Sequence, residues 1–431
     1  MEAPDPGLRD GITQHESADI SMKAGNVFQP RAPISAREFF AGRWEQLTTV
    51  NDAVAQTGLH IVIFGERGVG KTSLANVISP LLEVMEEDQT KKPAEPRLVV
   101  KVNTNQDDSF AILWARILDE VFWDENRPVI GFGRETVKER TRLRDVFGIS
   151  SAPSIDEVRR LLSELKRSVF IFDEFDRGSP EVRRSFTDLI KALSDYGVDS
   201  TIVVVGVSDT VDNLVKDHAS IVRALVQVQL PRMTERELGD ILEKAGKTLG
   251  VYFTNEAASL IVRMSQGLPH YTHLIGLHAT REAAKRLSRR IQCQDVHNSF
   301  SKAVQQAIQS IRDKHAQATH SAHKDALYSP VILGCACASC VAGDPLGYFH
   351  LSDVVGPLTE ILKREDVPIA AFQRHIHEFC EERGPVLERS GSPRTYRYRF
   401  RDPLLPPYIF MTAMSTGLVT AAQLNQLTRA I

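Results

Sequence analysis

The 431-residue sequence predicts an α/β protein: a parallel sheet first, a helical bundle after it, and a last unit of helices closed by a β-hairpin. Three observations carry this. Short β-rich runs alternate with helical stretches from Leu59 to Leu230, the pattern of a parallel sheet covered on both faces. After Leu230-Pro231 the β-signal disappears and amphipathic helical stretches follow. Near the C-terminus two alternating runs flank Ser390-Gly-Ser-Pro, a turn by composition.

In chain order, residues 1–30 are polar, carry Pro4, Pro6 and Pro30, and lack periodicity; they read as a disordered N-terminal arm. Order is expected from about Arg31. Phe39, Phe40, Leu47, Val50 and Val54 recur at near-helical spacing and predict a helix within residues 35–57. Leu59–Phe64 is an apolar run of the kind that makes a buried strand. It leads into Gly65-Glu-Arg-Gly-Val-Gly-Lys-Thr72, a complete Gly-x4-Gly-Lys-Thr match.

That octapeptide is a phosphate-binding loop. Backbone N–H groups surround the phosphates of a nucleotide only where side chains leave the approach open, hence glycine at Gly65, Gly68 and Gly70, with Val69 between. Lys71 supplies charge for the β/γ-phosphates and Thr72 a hydroxyl for Mg²⁺. The helix that continues through Ser73 points its positive end at the anion. Pro80 falls inside this helix and is expected to kink or shorten it.

Further β-rich runs at Leu98–Val102, Val169–Phe172, Thr201–Val205 and Leu225–Gln229 are separated by helical stretches Phe110–Phe122, Ile155–Lys166 and Glu181–Tyr196. The stretch Asp124–Pro153 resists assignment; its alternating charges, Arg134 to Asp145, read as a solvated helix face. Val169-Phe-Ile-Phe-Asp173-Glu174 puts two acids at the carboxyl end of a buried strand, beside the phosphate loop in an open α/β sheet. Asp173 is the candidate Mg²⁺ carboxylate and Glu174 the candidate to orient or deprotonate water. Ser208, past the end of the Thr201 strand, is a candidate for the γ-phosphate or the nucleophilic water, or a cap or turn residue. Arg223 is a candidate finger toward a neighbouring subunit's γ-phosphate, or a surface arginine paired to a carboxylate.

Thr234–Gly250, Asn255–Ser265, Tyr271–Ser288 and Gln294–Ile311 read as four amphipathic helices, the first opening with a Thr234/Glu237 capping box. The His-rich segment 312–324 reads as a linker. Helical stretches Leu327–Val341, Leu351–Lys363 and Ile369–Glu382, followed by the hairpin, make a winged helix-turn-helix. On the hairpin Tyr396, Tyr398 and Phe400 alternate with arginines, so the aromatics are expected in the core and Arg394, Arg397 and Arg399 outside, where they are candidates for DNA contact. In the preceding helix Glu378, Glu381 and Glu382 would repel a DNA backbone.

Composition bounds the rest. At 42% hydrophobic and 25% charged the chain is ordinary globular material, long enough for two to three domains. No apolar stretch approaches bilayer length, and Met1–Ile20 carries acids, His and Pro where a signal peptide would need a basic start and an apolar segment, so no membrane partner and a cytoplasmic location are expected. The net charge of −3 confines any nucleic-acid affinity to a local basic surface. Of five cysteines, Cys335, Cys337 and Cys340 cluster at a spacing wrong for a tetrahedral metal site and suggest a close-packed helix.

Phosphate loop, Asp-Glu strand, polar strand end, four-helix lid and winged helix, in that order over about residues 35–410, resemble the AAA+ ATPases, nearest the branch of Orc/Cdc6-type initiators and STAND-like ATPases. The resemblance implies a P-loop ATPase core (31–231), a helical lid (232–311), the linker (312–324), a winged-helix domain (325–415) and a C-terminal tail (416–431). It implies ATP and Mg²⁺ as cofactors. Phe40-Ala-Gly42-Arg43 looks like the Phe-x-Gly-Arg segment that lines the adenine pocket in this branch, and the strand leading to Ser208 is implied to lie between those leading to Lys71 and Asp173. Gly267-Leu-Pro269-His270-Tyr271 stands where initiators carry a lid arginine and looks like the Gly-x-Pro element of STAND-type switches. The expected function is ATP binding and Mg²⁺-dependent hydrolysis coupled to assembly with DNA or a protein partner, with an ATP-dependent homo-oligomer. The alternatives are a slow STAND-like switch acting on a separate effector, and a DNA-binding protein with ATP as ligand.

Overall fold

The computed structural model describes residues 10–30, 42–89, 97–128, 136–165, 167–207, 219–323, 326–341, 344, 347–393 and 395–428. By contact the chain divides into two compact units, Pro33–Glu66 with Gly70–Pro231, and Met1–Ala32 with Arg67–Val69 and Arg232–Ile431. Helix α1 (Gln14–Val27) belongs to the second of these and α2 (Trp44–Val54) to the first. Among the described residues no helix is long and apolar enough to cross a membrane.

The first unit continues with β1 (His60–Gly65), α3 (Lys71–Gln89), β2 (Leu98–Asn103), α4 (Phe110–Glu120), β3 (Phe122–Pro128), β4 (Thr136–Arg142), α5 (Leu143–Phe147), α6 (Ile155–Leu165), β5 (Ser168–Asp173), α7 (Pro180–Asp195), β6 (Ser200–Gly206) and β7 (Leu225–Leu230). Five of these strands form one sheet in the order β2-β5-β6-β1-β7, every pair parallel. β5 and β6 are buried along their whole length, which is why they read as continuous apolar runs and not as alternations. An aromatic cluster joins sheet and helices: Trp114 of α4 lies 5.2 Å from Phe170 and 5.5 Å from Phe172, and Phe172 meets Phe186 of α7 edge-on at 4.5 Å.

Two expectations for this unit are corrected. Pro80 does not shorten α3, which runs on to Gln89; the ring removes only the donor that the carbonyl of Asn76 would have received. Of the charged run read as a helix face, Arg134 and Glu135 lie outside the described residues, Lys138 to Arg142 belong to β4, paired antiparallel with β3 in a separate ribbon, and Arg144 and Asp145 to the short α5. Alternating charge with Thr136, Val137 and Thr141 interspersed suits a two-stranded ribbon as well as a helix face.

The second unit carries α8 (Glu235–Leu249), β8 (Tyr252–Phe253), α9 (Asn255–Ser265), α10 (Pro269–Lys285), β9 (Arg290–Ile291), α11 (Cys293–Gln306), α12 (Gln309–Thr319), α13 (Tyr328–Val341), α14 (Leu351–Leu362), α15 (Gln373–Glu381), β10 (Leu387–Ser390), β11 (Arg397–Phe400), α16 (Leu405–Ser415) and α17 (Ala421–Leu427). The Thr234/Glu237 capping box that opens α8 is present. β10 and β11 pair antiparallel, with Tyr398 and Phe400 buried and Arg397 exposed, as the alternation predicts.

Three expectations for this unit are corrected. The N-terminal segment is not an arm from residue 10 on: α1 starts at a Thr13/Glu16 capping box, buries Ile20, Ala24 and Val27, and packs on α10. Ser17 Oγ donates to Ala284 O at 2.7 Å, Ile12 N donates to Leu287 O at 3.1 Å, and fully buried Phe28 fills the space a side chain at Gly276 would occupy. The linker at 312–324 is largely helix, because α12 runs through Thr319 with Ile311 and Ala318 buried, and the single helix expected over Gln294–Ile311 is two. The tail beyond 415 contains α17, itself capped by Thr420 and Gln423.

Candidate functional site

β1 delivers the chain to the glycine loop and α3 leaves from it, the geometry that turns backbone N–H groups and a helix N-terminus toward an anion. Gly68 and Gly70 take φ of 88° and 98°, a region open to glycine at little cost and closed to most side chains. Val69 is fully buried, while Thr72 and Ser73 sit half-buried in the first turn of α3. Lys71 Nζ donates to the carbonyl oxygens of Gly65 (2.9 Å) and Glu66 (2.8 Å), so the ammonium is held over the mouth of the loop by the loop's own backbone.

Asp173 ends β5 with its side chain only 3% exposed. Its Oδ1 accepts from Glu174 N at 2.9 Å, and its carbonyl oxygen accepts from Thr104 N at 2.8 Å. Oδ2 lies 2.9 Å from Lys101 Nζ, an ion pair without a directed hydrogen bond, and the same Nζ donates to Asn76 Oδ1 at 2.6 Å. Asn76 lies four residues after Thr72 on α3, hence on the same helix face. One ammonium therefore ties the phosphate-loop helix to the strand-end carboxylate, and the residues of the two sequence motifs converge at the carboxyl ends of the parallel strands. Lys101 and Asn76 were not singled out from sequence. Register explains the meeting: Asn103 pairs with Asp173 and Lys101 with Ile171, so all four side chains share one face of adjacent strands.

Glu174 adopts a left-handed backbone, φ 53°, costly for a residue with a side chain, and its Oε2 accepts from Arg177 Nη1 at 2.7 Å. About half of each side chain is exposed. Gly42 and Arg43 both take positive φ at the start of α2, and Arg43, 4% exposed, donates from Nη2 to Pro231 O at 2.5 Å. Because Gly65 pairs with Leu230 across β1 and β7, that carbonyl lies beside the phosphate loop, and Gly42–Arg43 is brought there with it.

The remaining candidates are dispersed. Ser208, Phe40 and Arg394 lie outside the described residues. Arg223 precedes the amino end of β7, the strand beside β1, and so lies at the opposite end of the strands from Lys71; its Nη2 lies 3.4 Å from Asp195 Oδ1. Pro269 belongs to the helical unit, at the first turn of α10. Gly267 before it has φ 77°, accepts the Met233 N–H at its carbonyl oxygen at 2.8 Å, and leaves no room for a Cβ, which would meet Arg232 Cβ at 2.6 Å. On the hairpin, Arg399 pairs with Glu388 and Arg397 lies 3.5 Å from Asp344, both guanidinium groups stacking over the Tyr348 ring at 4.8 and 4.9 Å. Cys335 and Cys337 are buried in α13, where burial pushes both thiols far up, and Cys340 Sγ donates to Gln266 Oε1 at 2.8 Å, its own thiol raised by burial to about 11.

A family model, nSTAND1 or Novel STAND NTPase 1, matches residues 32–330, well over half of the sequence. The chain belongs to the Novel STAND NTPase 1 family. The matched span holds the entire parallel sheet of this STAND NTPase together with α8 to α12. Among solved structures, a Walker-type ATPase of Pyrococcus abyssi is similar at 14% identity and a TM-score of 0.50, over 89% of this chain and 99% of that one. Cdc6p from Pyrobaculum aerophilum is similar at 16% identity and a TM-score of 0.46, over 94% and 98% of the two chains. The likeness to the Walker-type ATPase is one of fold: this is a P-loop NTPase. No curated protein matches the sequence.

Proposed function

We propose that this STAND NTPase binds ATP with Mg²⁺ at the Gly65–Thr72 loop, hydrolyses it slowly, and uses its nucleotide state to change the engagement of a protein partner. The observation that carries the reading is the convergence of Lys71 and Thr72, at the start of α3, with Asp173 and Glu174, at the end of β5, linked by the Asn76–Lys101–Asp173 contacts. The donor set fits the ion: a hydroxyl, Thr72, and a buried carboxylate oxygen, Asp173 Oδ2, that receives no directed hydrogen bond, are the hard oxygens Mg²⁺ prefers. Bound there, Mg²⁺ would neutralise charge developing on the phosphate oxygens.

Each residue then has a task. Lys71 leaves the carbonyls of Gly65 and Glu66 for the β/γ-phosphates, an exchange of neutral acceptors for charged ones. The N–H groups of the loop and of the first turn of α3 hold the phosphates. Glu174 orients the attacking water and takes its proton, for which it must give up Arg177. That pairing is the physical basis for slow turnover: the candidate base is engaged by a cation three residues away. Gly42 and Arg43, braced on Pro231, line the loop where a base would lie.

A protein partner is preferred to DNA because Arg397 and Arg399 are already compensated by Asp344 and Glu388. The hairpin and its three preceding helices are then read as a winged-helix unit used for protein contact, and a finger role for Arg223 requires the phosphate of a neighbouring copy. The test is calorimetric titration of ATP with Mg²⁺ into wild type and Lys71→Ala. Binding is expected in the wild type and a loss of at least about tenfold in affinity in the variant, the scale of a single charge-assisted contact to phosphate. Absence of heat in the wild type would overturn the reading, and salt-dependent binding to duplex DNA, lost in Arg397→Ala/Arg399→Ala, would replace the protein partner with DNA.

A further inference from the structure

Lys101 stands apart from the family motifs yet holds the central carboxylate. It lies within β2, its side chain 23% exposed, with Val100 and Val102 on either side in sequence. Its ammonium is fixed from two directions, by Asn76 Oδ1 on the phosphate-loop helix and by Asp173 Oδ2. A lysine placed only to be soluble would extend into water; this one is drawn along the sheet face to the one oxygen on which the metal reading depends.

We propose that Lys101 is a built-in competitor of the divalent cation at Asp173, a positioning residue that holds the carboxylate in the nucleotide-free protein and must be displaced before the metal is bound. This rests on the ATP–Mg²⁺ reading given above. Two cations cannot share Asp173 Oδ2 at contact distance: their mutual repulsion in a poorly hydrated site is steep. The nucleotide-free protein keeps the buried carboxylate compensated by Lys101, since a buried charge left without a partner is strongly destabilising. The protein accepts the metal only in the fraction of molecules whose Lys101 has swung away, and its apparent metal affinity falls by that fraction. Asn76 sets the fraction, because its amide oxygen anchors the ammonium in the competing position.

The experiment has two arms on the full chain. The first measures mant-ATP binding by fluorescence in EDTA, which reads the nucleotide site without metal. The second titrates Mn²⁺, the paramagnetic stand-in for Mg²⁺, into protein saturated with AMP-PNP and follows the free-ion signal by electron paramagnetic resonance. If Lys101 is held on Asp173 in nine molecules of ten, Lys101→Met tightens Mn²⁺ binding by about tenfold, while Lys101→Arg, which restores a cation, stays close to wild type. Asn76→Ala, which loosens the anchor and keeps every charge, moves the Mn²⁺ affinity in the same direction by less. A Lys101→Met protein that binds mant-ATP but shows wild-type Mn²⁺ affinity overturns the proposal and leaves the nucleotide reading intact. If Lys101→Met does not fold, Asn76→Ala decides: a tighter Mn²⁺ affinity supports the proposal and an unchanged one overturns it. Failure of the wild type to bind mant-ATP, in EDTA and with Mg²⁺ alike, overturns both.

Discussion

At the residue scale, the site is a set of charges each already answered by a neighbour: Lys71 by backbone carbonyls, Asp173 by Lys101, Glu174 by Arg177. For Glu174 this gives a direct expectation. Glu174→Gln keeps the shape and removes the base, so phosphate release should fall by about 10²-fold or more while mant-ATP binding is retained. A variant that hydrolyses ATP at the wild-type rate would remove Glu174 from the mechanism. The division between what was legible in the sequence and what was not runs along the same residues. Lys71, Thr72, Asp173 and Glu174 sit in contiguous motifs whose spacing carries their chemistry. Lys101 meets Asp173, with Asn76 holding it from α3, only because β2 is the neighbour of β5, a long-range fact with no local signal. Arg177 could have been found: three residues past Glu174, it needs only the tight turn that follows the strand.

At the scale of elements, the strands of the sheet were readable because each is a short apolar run, and strand β6 lies between β1 and β5 as the AAA+ resemblance implies. The N-terminal helix was not read, although Thr13-Gln-His-Glu16 is a capping-box pattern and Ile20, Ala24 and Val27 follow at helical spacing. Three prolines and a polar average hid a short apolar stripe that is stable only because α10 covers it. Packing, not propensity, makes this helix. Phe28 is the point of greatest leverage: it is fully buried, meets His273 edge-on at 6.1 Å and Phe253 at 6.4 Å, and abuts Gly276. Phe28→Ala should destabilise the helical unit by about 3–5 kcal/mol. Hydrogen exchange should show the loss in Pro269–Lys285. An unaffected α10 would mean that the N-terminal segment is only adventitiously docked.

At the scale of the whole molecule, both units contain histidines kept neutral by burial. His60 opens β1, where its Nδ1 accepts the Ile202 N–H at 3.0 Å, and burial lowers its pKa to about 4. His273 of α10 is fully enclosed, with its pKa likewise lowered to about 4. Between the unfolded value near 6.5 and these folded values, the unfolded chain binds more protons than the native one, so stability decreases as pH falls through that window. Each of the two should contribute a loss of about 2 kcal/mol on going from pH 7 to pH 5. Thermal unfolding followed by circular dichroism should show a lower midpoint at pH 5, partly abolished in His273→Leu; a midpoint independent of pH would show that these rings protonate without cost. The tryptophans report on one of the two units. Trp44, Trp114 and Trp123 all fall in the α/β unit and none in Arg232–Ile431, with Trp114 embedded beside Phe170 and Phe172 of the strand that ends at Asp173. Intrinsic emission is therefore a one-sided reporter: it registers melting or nucleotide-linked tightening around the sheet and is blind to the helical half, whose behaviour emerges only by subtraction from the dichroic signal.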